Sequence, residues 1–258
     1  INGTYHTPQI DASGLSPGWH HIAFSFSTSG QWLHIDGVHR ATDSGTGVIV
    51  YDVDNSIQID ADAGGGTAPE GACFEGKLDE IRVWNVVRTT QQIRENMHLS
   101  LVGNESGLGA YWRCDVGAGT ALVDSTTNFN NGVFGVGDAA PAWIDSTFPL
   151  ARGASHSQVV SATGAVMFTG TDVALDFTAK SGSNAFVVSQ LLGEPASPPG
   201  GPVMGSEYWV IQAHDEGTFT ANLTLSGQNE IADEDARDPS RVKLGRRESG
   251  DGPDPLLG

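Results

Sequence analysis

An all-β fold built from antiparallel strands is what this sequence predicts, and three observations predict it. Apolar and polar residues alternate in short runs, the period of a half-buried strand. The 258 residues include 34 glycines, which suits strands joined by many tight turns. Apolar residues make up 38% and charged residues 17%, a balance that argues against helical bundles and coiled coils. A change near Phe148-Pro149-Leu150 divides the pattern, so two units are expected: residues 1–148 and a smaller β-sandwich over 149–258.

The first unit can be read element by element. His20, Ile22, Phe24 and Phe26 alternate with His21, Ala23 and Ser25. Leu33 and Ile35 then lead into Asp36-Gly37, a type I′ hairpin signal. Two short strands are expected at 48–51 and 56–59, parted by the turn at 52–55, and the three glycines at 64–66 mark a loop. From Leu78 to Trp84 another strand is expected, with Ile81 and Val83 on one face and Glu80, Arg82 and Trp84 on the other. Thr89 followed by Gln92 is a capping-box pattern opening a short helix, in which Ile93 and Met97 share a packing face. A further strand is predicted between Gly107 and Asp115.

Five blocks carry a resemblance. Gly18-Trp19-His20-His21-Ile22-Ala23-Phe24, Leu33-His34-Ile35-Asp36-Gly37-Val38, the strand-then-helix segment from Phe74 to Met97, Gly107-Leu108-Gly109-Ala110-Tyr111-Trp112-Arg113, and the series Asp124-Ser125, Asn131-Gly132, Pro141-Ala142-Trp143 occur in one order. This order resembles the closing half of a LamG-like jelly roll, in the concanavalin A-like lectin/glucanase superfamily. The resemblance implies a jelly-roll β-sandwich entered partway through its strands, and hence a fragment of a longer protein. It also implies a secreted or cell-surface setting, with a glycan or an extracellular protein as ligand. Because the superfamily hosts lectins, adhesion modules and glycosidases alike, fold alone does not select among them.

Beyond Leu150, Val173, Leu175 and Phe177 alternate with polar neighbours, as do Phe219, Ala221, Leu223 and Leu225. Strand-like runs also occur at 185–192, 208–213 and 241–245, while Pro195, Pro198, Pro199 and Pro202 make 193–205 a stiff exposed loop. This portion resembles the β-sandwich near the C-terminus of large bacterial surface proteins, particularly those exported by the type IX route. The residues carrying that likeness are Glu207-Tyr208-Trp209-Val210-Ile211, 219–225 and 241–247.

A net charge of −18 repels phosphate backbones and anionic lipid, so nucleic-acid and membrane-surface partners are not expected. No apolar run reaches the ~18 residues of a membrane span. Cys73 and Cys114 are too few for a disulfide framework. Cys114 shares a strand face with Leu108, Ala110 and Trp112 and reads as a small buried hydrophobe, with a Cys73–Cys114 bridge as the alternative.

Chemistry is sparse. The superfamily's glucanases carry a Glu-x-Asp-x-(x-)Glu strand motif that aims two carboxylates into one groove. Here the corresponding face offers Glu80, Arg82 and Trp84, one carboxylate and a cation, which reads as an ion pair and leaves no second catalytic acid. No enzyme activity is expected. The pairs Asp52/Asp54 and Asp60/Asp62 sit at turns, where solvation is the simpler reading. His20 and His21 point to opposite strand faces and cannot chelate one metal together.

The resemblance implies a structural Ca²⁺ at Asp79, at the head of its strand, and a second loop site is conceivable at Asp60 and Asp62. A single oxygen donor falls far short of the about 6–8 that Ca²⁺ takes. Asp233, Glu234, Asp235 and Asp238 are balanced by Arg241, Lys243, Arg246 and Arg247 nearby. For a ligand, Trp32 is the best exposed aromatic platform; it shares its face with His34, and Glu80 and Arg82 complete the candidate binding set. Trp19, Trp112 and Trp143 are expected in the core. The role that fits these observations is non-catalytic recognition, or spacing, within an adhesin; the alternative is an accessory carbohydrate-binding module of a polysaccharide-degrading enzyme.

Overall fold

A computed structural model describes residues 8–45, 57, 59, 74–135, 141–193, 206–215 and 217–226. Strands β1 (Ile22–Ser27), β2 (Gly30–Ile35) and β3 (Val38–Asp43) form one antiparallel sheet in that order. The turn between β2 and β3 has φ of 51° at Asp36 and 71° at Gly37, the paired positive angles of type I′. Asp36 also fixes the approach to β1: its carboxylate accepts from the His21 N–H at 2.9 Å and meets His20 Nδ1 at 2.7 Å. At Gly37 a side chain has no room, since an added Cβ would lie 2.7 Å from Arg94 Cγ.

The alternation along β1 is as read, yet the apolar face is the exposed one: Ile22 and Phe24 are 63% and 57% accessible. The reason is that the opposite face of this sheet, carrying Ser25, Trp32 and His34, turns toward the helix. Ile35 nonetheless is buried.

Strand β4 (Ile81–Trp84) starts three residues later than predicted, because Glu80 takes a left-handed φ of 54° and interrupts the extended chain at Leu78–Glu80. Helix α1 (Thr90–Asn96) opens on the expected capping box: Thr89 Oγ1 accepts from the Gln92 N–H, and Gln92 Oε1 accepts from the Thr89 N–H. Ile93 and Met97 are both buried. Strand β5 (Leu108–Trp112) pairs with β4, and Trp84 packs on Leu101, Leu108 and Tyr111. That places the Arg82/Trp84 side of β4 inward and leaves Val83 exposed. Cys114 does not share the β5 face as expected. The strand has ended at Trp112, Cys114 sits at a φ of 60°, and its thiol is free, pushed up to about 12 by burial.

The short pair β6 (Ala121–Leu122) and β7 (Gly132–Val133) is organised by Asp124, whose carboxylate accepts from the N–H groups of Tyr111, Thr126 and Asn130. Burial opposes the charged form there, but these donors outweigh it and hold the carboxyl below its usual range. Of the tryptophans expected in the core, Trp112 is 5% exposed. Trp19 and Trp143 are half-buried, with indole N–H bonds to Thr147 Oγ1 and Gly119 O. Both indoles dock on loop residues and belong to neither buried apolar cluster.

Six strands follow Leu150: β8 (Arg152–Val160), β9 (Gly164–Phe168), β10 (Val173–Gly182), β11 (Asn184–Leu192), β12 (Glu207–His214) and β13 (Gly217–Leu225). They form two antiparallel sheets, β12-β11-β8 and β13-β10-β9, closed on Val160, Phe168, Val173, Leu175, Phe177, Phe186 and Val188. Among the described residues no sheet of these strands combines the two sides of Leu150, although an isolated parallel bridge pairs Leu99 with Ala151. Phe186 lies 4.8 Å from Phe177 and 4.9 Å from Phe219, ring to ring. β11 is buried on both faces, because α1 packs on the side away from the core. The expected strands at 48–51 and 241–245, the loops at 64–66 and 194–205, Cys73 and the acidic run at 233–238 lie outside the described residues; of 56–59 only Ile57 and Ile59 are described, neither in a strand.

Two substitutions probe this arrangement by urea unfolding. Phe186→Ala is expected to cost about 3–5 kcal/mol by opening a cavity between the sheets. Thr89→Ala is expected to cost about 1 kcal/mol by removing one half of the capping box. A loss below about 0.5 kcal/mol at Phe186, smaller than a typical core truncation, contradicts the placement of the core.

Candidate functional site

A cleft of about 520 Å³ opens between the β1-β2-β3 sheet and the start of α1. Strand periodicity puts Trp32 and His34 on one face of β2, and the pairing of His34 with His39 brings a second imidazole from β3, ring centres 5.4 Å apart. From the helix side, Thr90 Oγ1 meets His34 Nε2 at 3.1 Å. Burial, with repulsion from His39 and Arg94, lowers the pKa of His34 and keeps it neutral near pH 7. His39 is held by Thr42 Oγ1 at 2.8 Å and the Ala41 carbonyl at 3.1 Å.

The cation of the cleft is Arg88, which precedes the N-cap. Its guanidinium carbon lies 4.1 Å from the centre of the Trp84 ring, a cation–π contact. Among the described residues it makes no hydrogen bond and no ion pair. Burial lowers its pKa and the charge of Glu95 opposes that. Among the described residues no carboxylate lines the cleft. A flat apolar surface, two imidazoles and an open guanidinium can receive a ligand that stacks and accepts hydrogen bonds.

The structure therefore unites two predicted site residues, Trp32 and His34, and adds His39 and Arg88. Sequence offered one local clue to Arg88, its position just before a capping box; nothing in spacing tied it to β2.

Glu80 and Arg82 stand elsewhere, in a buried cluster. Arg82 Nη2 lies 2.5 Å from Glu80 Oε2, and Tyr111 donates its O–H to the same oxygen at 2.6 Å. Arg82 also donates to the carbonyls of Asn96 and Leu99, at 2.7 and 2.6 Å, closing the C-terminal end of α1. Burial raises the Glu80 pKa more than the bonds from Tyr111 and Arg82 lower it. Every named partner of this pair is a group of the protein itself. Asp79 Oδ1 accepts from the adjacent Glu80 N–H at 2.9 Å. Among the described residues no three His, Cys, Asp or Glu side chains converge as a metal site, and Asp60 and Asp62 lie outside those residues.

Removing one member of the buried pair should be worse than removing its charge partner conservatively. Arg82→Met is expected to lose about 3–5 kcal/mol in urea unfolding, because a carboxylate stays buried without its cation. Glu80→Gln, which keeps an acceptor for Tyr111 and Arg82, should lose less. The reverse ranking contradicts this reading.

Residues 2–94 match a family model described as the concanavalin A-like lectin/glucanases superfamily, Laminin_G_3. No curated protein and no solved structure gives a significant match to the chain. Laminin G-like domains are typically binding modules for glycans or proteins and commonly extracellular, although the superfamily includes glycosidases. No helix among the described residues is long and apolar enough to cross a membrane. The antiparallel sheets agree with the match, and the chain is an all-β protein whose segment 2–94 is similar to concanavalin A-like domains of the laminin G kind.

Proposed function

We propose that this chain is a non-catalytic recognition module that binds a saccharide in the cleft beside α1. One observation carries the reading: Trp32, His34 and His39 line the same cleft as the Arg88 guanidinium, which stacks on Trp84 but makes no hydrogen bond or ion pair among the described residues. A sugar ring offers an apolar face for the indole, and its hydroxyl or carboxylate oxygens accept from Arg88. The match over residues 2–94 supports a binding role, and the net charge of −18 leaves Arg88 as a local exception that favours an electron-rich ligand. We place the module outside the cell, in a larger adhesin, on the strength of the family resemblance. Domain limits at 1–148 and 149–258 belong to the same proposal, supported by the absence of shared sheets among the described residues.

A glycan array followed by calorimetry on the strongest hit tests it. Trp32→Ala is expected to weaken binding about tenfold or more, the equivalent of about 1.4 kcal/mol. Arg88→Gln should weaken it too and flatten its salt dependence. Binding that ignores both substitutions, or no saccharide bound at all by the unaltered chain, removes this reading.

A further inference from the structure

Imidazole rings with buried, unpartnered nitrogens gather where the strands after Leu150 meet the rest of the chain. His98, just past α1, stacks on Phe148 at 5.3 Å and has Nδ1 3.1 Å from the Pro149 carbonyl; its Nε2 has no partner. Gln212 of β12 faces it, and Gln212 Oε1 is also without a partner. His214, at the end of β12, is 6% exposed with Nε2 unpartnered. Its ring rests against Gly37 and is flanked by Arg94 and Asp215. His21, ahead of β1, buries an unpartnered Nδ1, and its charged form is repelled by Arg82 and His98.

These rings lie among the bonds that hold the two strand groups together. Arg94 donates from Nε to the Gly37 carbonyl at 2.8 Å and from Nη2 to Asp215 at 3.2 Å. Glu95 accepts from both the N–H and the O–H of Ser157 in β8. The Ser100 N–H reaches the Ala151 carbonyl at 2.9 Å.

A proton added to His214 Nε2 would create a cation and a new donor with no acceptor placed to meet it among the described residues, whereas at His98 the facing Gln212 Oε1 can accept and burial alone opposes the charge. The charged and titratable groups facing the cluster are Arg82 from β4, Arg94 from α1, His34 from β2, Asp36 from the hairpin turn and Asp215 after β12. The two arginines repel an imidazolium. Asp36 is already engaged by His20 and the His21 N–H, and Asp215 by Arg94.

We propose that the contact of α1 with the β12-β11-β8 sheet is an acid-released clasp, which proton uptake by His98 and His214 opens at mildly acidic pH. Burial, the largest cause at each ring, holds His214 and His21 down to about 4 and lowers His98 as well, from the usual 6.5. The open form therefore takes up protons below pH 6.5 that the closed form refuses until about pH 4, so closure weakens as pH falls through that window. His20 acts in the opposite sense, because bonds to the Ser16 carbonyl and Asp36 raise it, but it belongs to the hairpin and not to the clasp.

Amide hydrogen exchange on the whole chain, corrected for intrinsic rates, tests the clasp at pH 7.5 and pH 5. His214 alone should favour opening on the order of thirty-fold between those values, and the Ser100 and Ser157 amides should lose protection by that factor or more. Amides of β10 and β11 should stay protected, and protection should return at pH 7.5. In His214→Gln most of the His214 share of this pH dependence should vanish. Should that variant fail to fold, imidazole NMR titration of the unaltered chain decides: His98 and His214 should titrate together with the loss of protection at Ser157. Unchanged protection of Ser100 and Ser157 down to pH 5, or equal loss throughout β10 and β11, overturns the proposal.

Discussion

The buried guanidinium of Arg94 is the constraint on which the arrangement depends. It donates to the carbonyl of Gly37 in the hairpin turn and to Asp215 after β12, while its own backbone lies in α1. The bond to Gly37 is buried and charge-assisted and contributes about 1.5–3 kcal/mol, whereas Asp215 is half-exposed and its ion pair adds little. The turn can meet it only because Gly37 lacks a side chain that would overlap Arg94 Cγ. Three parts of the chain far apart in sequence are thereby brought to one residue.

A seven-residue helix is too short to be stable alone, so α1 exists through what holds its ends. Thr89 and Gln92 satisfy the first turn, and Arg82 takes the carbonyls at the last. Each end then serves a different purpose. The start of the helix, with Arg88 and Thr90, forms a wall of the cleft; the end, with Arg94, Glu95 and His98, forms the contact with the later strands. The strands after Leu150 have an apolar core of their own between two sheets, whereas the earlier segment leans on polar hubs at Asp36, Glu80 and Asp124.

What could be read in the sequence was local. The Asp36-Gly37 turn, the Thr89/Gln92 cap and the alternation in β10 and β13 each occupy a few adjacent residues, and each is present. Strand β8 has no legible signature because its Ser155, His156, Ser157 and Gln158 blur the apolar period. Which face of β1 turned inward could not be read either, since Ile22 and Phe24 point away from the helix that covers the opposite face. At the cleft, alternation sufficed to pair Trp32 with His34, but Arg88 joins them only through the packing of α1. The clasp was illegible for the same reason: His21, His98 and His214 share no spacing, and a buried arginine runs against the ordinary preference of that residue for water.

Urea unfolding of Arg94→Met asks most directly whether this guanidinium unites the structure, because methionine keeps much of the apolar stem and removes the donors. A loss of about 2–3 kcal/mol is expected, from the buried bond to Gly37 and the carbonyl left stranded, with the half-exposed Asp215 adding little. Stability within about 0.5 kcal/mol of the unaltered chain, the scatter expected of an unimportant surface position, would contradict it.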